Sequence, residues 1–420
     1  MKRKPLSNDR PAIQKSIKIQ LPEGRLGLRL ALVIVLIALA VGSFALGINS
    51  IFSTEAGLAE VSALSGEMNA GESFTFYYYL GYDGTNATDE RRTLRSLYTE
   101  AATDALELFG ADIESETVGL CYISRHPNED IEVGQALYSA FELLEESGTR
   151  YHYLAPLYAQ YHALCSSQSD VEAAQYDPRL DAAQGEFFAR TAAFASDEGS
   201  VDIELLGEGR VRLSVSEEYL AFAQENGISS FVDLGWMENA FRVDYVADVL
   251  TESGYTAGSL SSYDGFARCL DRREQSYRLD LYDRTEGSVC RAGQMAYTGP
   301  MSLVSLRDFP LGRLDVLHYY QCPDGRIVTA YADPADGLSR TAASQLTAYS
   351  RDRSCAQVLL DVAGFYVADS LDETALLALP AAGTELVLCR EGTVLHTQPD
   401  LSVTELFESG EIRYTARVWK

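Results

Sequence analysis

From Leu30 to Ile48 the chain runs LALVIVLIALAVGSFALGI, nineteen residues with no charge and with Ser43 as the one polar side chain. At the rise of an α-helix, a run of this length matches the roughly 30 Å hydrocarbon core of a bilayer. It predicts a transmembrane helix over 30–49. A cleavable signal would have a shorter apolar core and a small-residue cleavage site, and an exported lipoprotein a cysteine just after it, whereas the first cysteine is Cys121. The first thirty residues hold eight Lys or Arg against Asp9 and Glu23, a balance of +6 that keeps this end cytoplasmic. The expected organisation is a basic cytoplasmic tail over 1–29, the helix, a tether over 50–64 and an extracytoplasmic domain over 65–420. The protein is thus expected in the cell membrane as a single-pass protein.

Removing that +6 from the chain's net −27 leaves −33 beyond residue 30, which excludes a nucleic-acid partner. Apolar residues make up 46% of the chain, enough to build a core and to set aside disorder. Seven cysteines are scattered without a CxxC pair, so a zinc site of that kind is absent and the pairing stays open. No lysine occurs between Lys18 and Lys420, which rules out a P-loop lysine, a Schiff base and a lysine general base in the domain.

Periodicity gives an α+β reading in one large unit. Ser73–Leu80 reads as an aromatic strand, Asp89–Gly110 and Val133–Ser147 as amphipathic helices, and Tyr151–Leu164 as a further apolar-aromatic stretch. Ser166–Gly185 is small and polar, a candidate surface insertion, and Val201–Ser214 has a Gly-Glu-Gly turn between alternating runs, as in a hairpin. Helices follow at Ser216–Asn226, Ala240–Ser253 and Cys355–Ala363, with strands at Tyr277–Tyr282, Arg326–Ala332 and Gln345–Tyr349 and a last hairpin over Glu385–Leu395.

The segment Phe231–Asp248, FVDLGWMENAFRVDYVAD, resembles the signature of the bacterial flavin transferases of the ApbE type, a strand, glycine turn and helix usually reading DLGGIAKGYAVDRAA. Asp233, Leu234, Gly235, Val243, Asp244 and Ala247 match; Trp236, Asn239 and Ala240 replace the second glycine, the lysine and the third glycine. Ile131–Leu144 followed by Leu154–Leu157 is similar to the family's helix and its PL-containing segment. Val304–Phe309 stands where the family has a TSGDY-like turn, and Ala332–Gly337 resembles its HIIDPxTG segment, with Ala330 for the histidine. In SCAQVLLDVAG, Ser354 and Val358 stand where the family's ADALST helix carries the Asp and Thr that help bind Mg2+ beside the FAD pyrophosphate. The resemblance, over roughly 65–400, implies an ApbE-like flavin transferase fold preceded by the transmembrane helix. It also implies cofactor contacts at Asp233, Gly235, Asp244, Asp333 and Gly337, and names neither a catalytic residue nor a metal ligand.

Beside each reading stands a plainer one. Asp233 and Asp244 have the chemistry of a metal site or base, but also that of a turn cap and a solvated helix residue. Asp333–Gly337 has the composition of a turn, and Asp83–Thr88, faintly similar to the [ST]GA[ST] acceptor motif, that of a polar loop. His152, His162 and His318 lie among aromatics with no nucleophile motif. Because the departures fall on the chemical positions, the leading expectation is a flavin-transferase-like domain with degraded FAD and Mg2+ chemistry that binds a ligand or partner. The alternative is an active Mg2+-dependent FAD:protein FMN transferase acting on Thr or Ser of an exported redox protein, with another carboxylate such as Asp233, Asp264 or Asp352 replacing the lost ligand. A third is a structural envelope protein without a cavity. FAD and Mg2+ are cofactors only if activity is retained; the expected partners are the membrane and an exported flavoprotein or other envelope protein.

Overall fold

In Phe74–Leu80 every second residue, Phe74, Phe76, Tyr78 and Leu80, is buried, the period of a strand with one face on a core. The computed structural model describes residues 55–65, 69–285, 288–409 and 412–420. The span 30–49, read above as a membrane helix, lies outside them; among the described residues no helix is long and apolar enough to cross a membrane. Nine strands form the main sheet: β1 (Gly57–Glu60), β2 (Phe74–Leu80), β3 (Gly258–Ser262), β4 (Phe266–Cys269), β5 (Met301–Arg307), β6 (Gln345–Ser350), β7 (Glu385–Arg390), β8 (Thr393–His396) and β9 (Thr415–Val418). Their spatial order is their chain order, and all pairs are antiparallel except β8 with β9. Strand β1 falls within the span read as a tether, where it covers the edge of β2, and Val61 beyond it is buried.

Seven longer helices are α1 (Ala87–Phe109), α2 (Gln135–Ser147), α3 (Ala155–Ser166), α4 (Ala182–Ser196), α5 (Glu217–Asn226), α6 (Glu238–Glu252) and α7 (Cys355–Tyr366). Asn86 caps α1, its side chain accepting from the amides of Thr88 (2.9 Å) and Asp89 (3.2 Å), so the loop compared above with an acceptor motif serves as a helix start. Gly148 and Gly227 end α2 and α5 in the left-handed conformation. Helix α6 lies on β3 and β4 and α7 on β5 and β6, with α1 packed against α6.

The opposite face of the sheet is covered by a three-stranded sheet of Ser276–Thr285, Ser288–Thr298 and Ser402–Leu406. Along β5, Val304 and Leu306 join the core on the helix side, while Met301 and Leu303 join Leu281, Ala292 and Met295 on the other. A strand buried on both faces loses the polar alternation that marks a one-sided strand. That is why Val304–Phe309, placed above at a turn, is for the most part the central strand β5. Phe231–Leu234, read as a strand, joins no sheet; it is held by single contacts and passes into the 3-10 turn Gly235–Met237.

Candidate functional site

The turn before α6 is set by one glycine. Gly235 has φ +53°, and an added Cβ would run into the Tyr158 ring of α3, so only glycine allows this approach. Asp233 closes the turn by accepting from the Gly235 amide (2.7 Å), and its own amide donates to the His152 carbonyl (2.9 Å). His152 itself is buried with no partner on Nδ1, and burial lowers its pKa to about 3, the behaviour of a packed, neutral ring. Trp236 stands edge-on to Tyr151 (5.4 Å, 72°) and to Tyr331 (5.0 Å, 71°), and Tyr331 edge-on to Tyr366 (5.1 Å, 85°). This aromatic ladder fixes the indole as a wall.

Against that wall lies a cavity of about 610 Å³. Helix α3 forms one side with Tyr158, Tyr161 and His162, and the turn contributes Asp233, Gly235 and Trp236. Glu238, Asn239 and Arg242 enter from α6, and Tyr263, Asp264, Asp315, His318, Tyr319 and Tyr331 from later loops. Its size is that of a small-molecule site. The indole occupies the wall and leaves the space open.

The polar groups form a chain along one side. Asn239 donates to Asp264 Oδ2 (2.9 Å), and Arg242 donates to Asn239 Oδ1 (3.2 Å) and to Glu238 Oε1 (3.3 Å) while lying over the Phe74 ring (5.0 Å). Tyr263 and His318 share a hydrogen bond (3.0 Å), and burial lowers the His318 pKa. Burial pushes Glu238 up to about 8: Arg242 opposes this, and the charges of Asp233, Asp112 and Asp264 add to it. Burial likewise raises Asp233 to about 6, against the pull of the Gly235 amide. Perturbed carboxyls in a cavity of this size mark it as the candidate site.

Of the five cofactor contacts implied by the resemblance, Asp233 and Gly235 line this cavity and Asp244, Asp333 and Gly337 do not; Trp236, Asn239, His162, His318 and Asp264, named above on other grounds, also line it. Asp244 is buried rather than solvated; it pairs with Arg268 (2.6 Å) and accepts the amides of Cys355 (2.9 Å) and Ala356 (2.8 Å), tying α6 to the start of α7. Asp333 and Gly337 form a turn closed by the Gly337 amide on the Asp333 carbonyl (2.7 Å), and the Gly337 carbonyl accepts from Tyr161 (2.7 Å). Glu238, Arg242, Tyr263 and Asp315 were not anticipated. Glu238 and Arg242 were visible as an i, i+4 pair beside the glycine turn, whereas Tyr263 and Asp315 arrive from segments with no local signal.

No protein-family model and no curated protein matches the sequence. Solved structures do. The ApbE protein of Thermotoga maritima superposes with a TM-score of 0.55 at 13% identity, over 82% of this chain and 96% of that one. The flavin transferase ApbE of Vibrio cholerae gives 0.55 at 12%, over 83% and 96%. The chain has the ApbE fold.

Whether its residues suit the Mg2+ that the sequence resemblance implies is decided at the start of α7. Ser354 caps that helix, its hydroxyl accepting from the Gln357 amide (3.2 Å) while the Gln357 side chain accepts from the Ser354 amide (3.0 Å). Val358 is fully buried in the core. The carboxylate nearest in the bonding scheme, Asp244, is already committed to Arg268 and two amides. Among the described residues no group of three or more His, Cys, Asp or Glu is placed to hold a metal ion. Mg2+ needs several hard oxygen ligands in octahedral array, and this helix start does not supply them.

Proposed function

We propose that this chain is a membrane-anchored, extracytoplasmic binding protein on an ApbE-type scaffold, with metal-dependent FMN transfer lost. The observation that carries the reading is the start of α7, where a capping box and the Asp244–Arg268 pair take up the groups that would face Mg2+. The aromatic cavity next to Trp236 supports a small ligand. The acidic exterior and the apolar run of 30–48 support a soluble domain held on the outer side of a membrane, near exported or envelope partners. The cavity argues against a purely structural role.

Active FAD:protein FMN transfer is favoured by one observation only, a cavity large enough for part of a flavin beside several aromatic side chains. Calorimetric titration of the full-length chain with FAD, with and without Mg2+, separates the two. We expect no metal-dependent binding. Tight FAD binding that requires Mg2+ overturns the proposal and restores the transferase.

A further inference from the structure

We infer that the cavity beside Trp236 binds an organic cation, an ammonium group carried on an apolar or aromatic body, through the carboxylates of Asp233 and Glu238 and the faces of the surrounding aromatic rings. The inference rests on the binding reading above and names the class of ligand.

Asp112, Asp233 and Asp264 have no ion pair among the described residues. The two arginines of the lining are both engaged: Arg125 with Glu114 (2.6 Å), and Arg242 with Glu238 (3.3 Å) and Asn239. Arg307, just behind the wall, is held by Asp315 (2.6 Å) and the Tyr263 carbonyl (2.7 Å). The field inside is therefore negative, and a low-dielectric wall strengthens it. A pyrophosphate would meet uncompensated carboxylates here; a cation would meet its counter-charges.

Asp233 uses Oδ1 on the Gly235 amide and has no protein partner on Oδ2, which is not sealed from the cavity. Glu238 uses Oε1 on Arg242 and leaves Oε2 free, with 25% of its side chain exposed. Two open acceptors on one turn of chain suit the several N–H groups of an ammonium. An open carboxylate oxygen in such a wall is costly to keep charged, burial raises the pKa of both groups, and a bound cation would offset that cost.

Trp236, Tyr158, Tyr263, Tyr319 and Tyr331 line the space, and the tyrosine phenols are kept neutral by burial. Aromatic faces attract a desolvated cation, Trp most strongly, and a rigid ladder pays no ordering cost on binding.

The test uses the full-length chain and Trp fluorescence, since Trp236 and Trp419 are its two tryptophans and only Trp236 lines the cavity. The probe is benzylammonium, with benzyl alcohol and benzoate as neutral and anionic counterparts. Saturable quenching by the cation and none by the other two is expected. Asp233→Asn keeps an oxygen for the Gly235 amide and should weaken binding by about tenfold or more. If that variant loses its folded circular-dichroism signal, Glu238→Gln carries the same expectation. Equal response to benzyl alcohol, preference for benzoate, or unchanged affinity in the folded variants overturns the inference. Failure with the cation together with no FAD binding refutes the ligand class alone; metal-dependent FAD binding refutes the underlying reading.

Discussion

Asp233 precedes the glycine turn and Asp244 lies in the middle of the helix that follows, α6; both match the ApbE signature, and they end in opposite conditions. Asp244 is buried against one arginine and two helix-start amides, so its charge is fully compensated. Asp233 has one amide and an open oxygen in a cavity, and burial pushes its pKa up to about 6. The same residue type at two motif positions has become a joint in one place and an unsatisfied acceptor in the other. A saturated carboxylate holds the fold together, and an unsaturated one is available to a ligand.

The contrast breaks most readily at the joint. Asp244→Ala leaves Arg268 with only its longer contact to Asp248 (3.6 Å) and the buried Cys355 and Ala356 amides without their acceptor, and should cost about 3 kcal/mol in urea unfolding. A loss under about 1 kcal/mol would show that the joint is not structural. Next in size is Gly235→Ala, which places a Cβ on the Tyr158 ring at positive φ and should destabilise by roughly 2–3 kcal/mol. Tolerance of alanine would mean that the turn and α3 separate freely. Smallest is Glu238→Gln, and its effect depends on pH. The folded protein holds this proton up to about pH 8 while the unfolded chain releases it near 4.5, so the acid lowers stability as pH rises between those values. The glutamine variant should match wild type at pH 4 and exceed it by about 1 kcal/mol at pH 8, the gain reduced by the 25% exposure of the side chain. Parallel stability profiles for the two proteins would contradict the assignment.

Much of the secondary structure was legible because its signals are local. Alternating burial in Phe74–Leu80, the glycines after Ser147 and Asn226 and the Gly-Glu-Gly hairpin all needed only neighbours in the chain. Helix α4 was hidden behind the polar stretch that precedes it, and β5 by burial on both faces. In the site, Asp233 and Gly235 were legible from the motif, whereas Tyr263, Asp264, Asp315 and His318 reach the cavity only through sheet order and loop closure.

The acidic charge, the all-arginine basic chemistry between Lys18 and Lys420, the apolar run of 30–48 and most helix ends could be read from the chain alone, since each is a property of composition or of residues within a few turns. Which carboxylates are compensated depends instead on contacts made between distant segments. Partners for Asp244 come from β4 and from the start of α7, while among the described residues Asp233 has only the neighbouring Gly235 amide, and no local pattern encodes contacts across such separations.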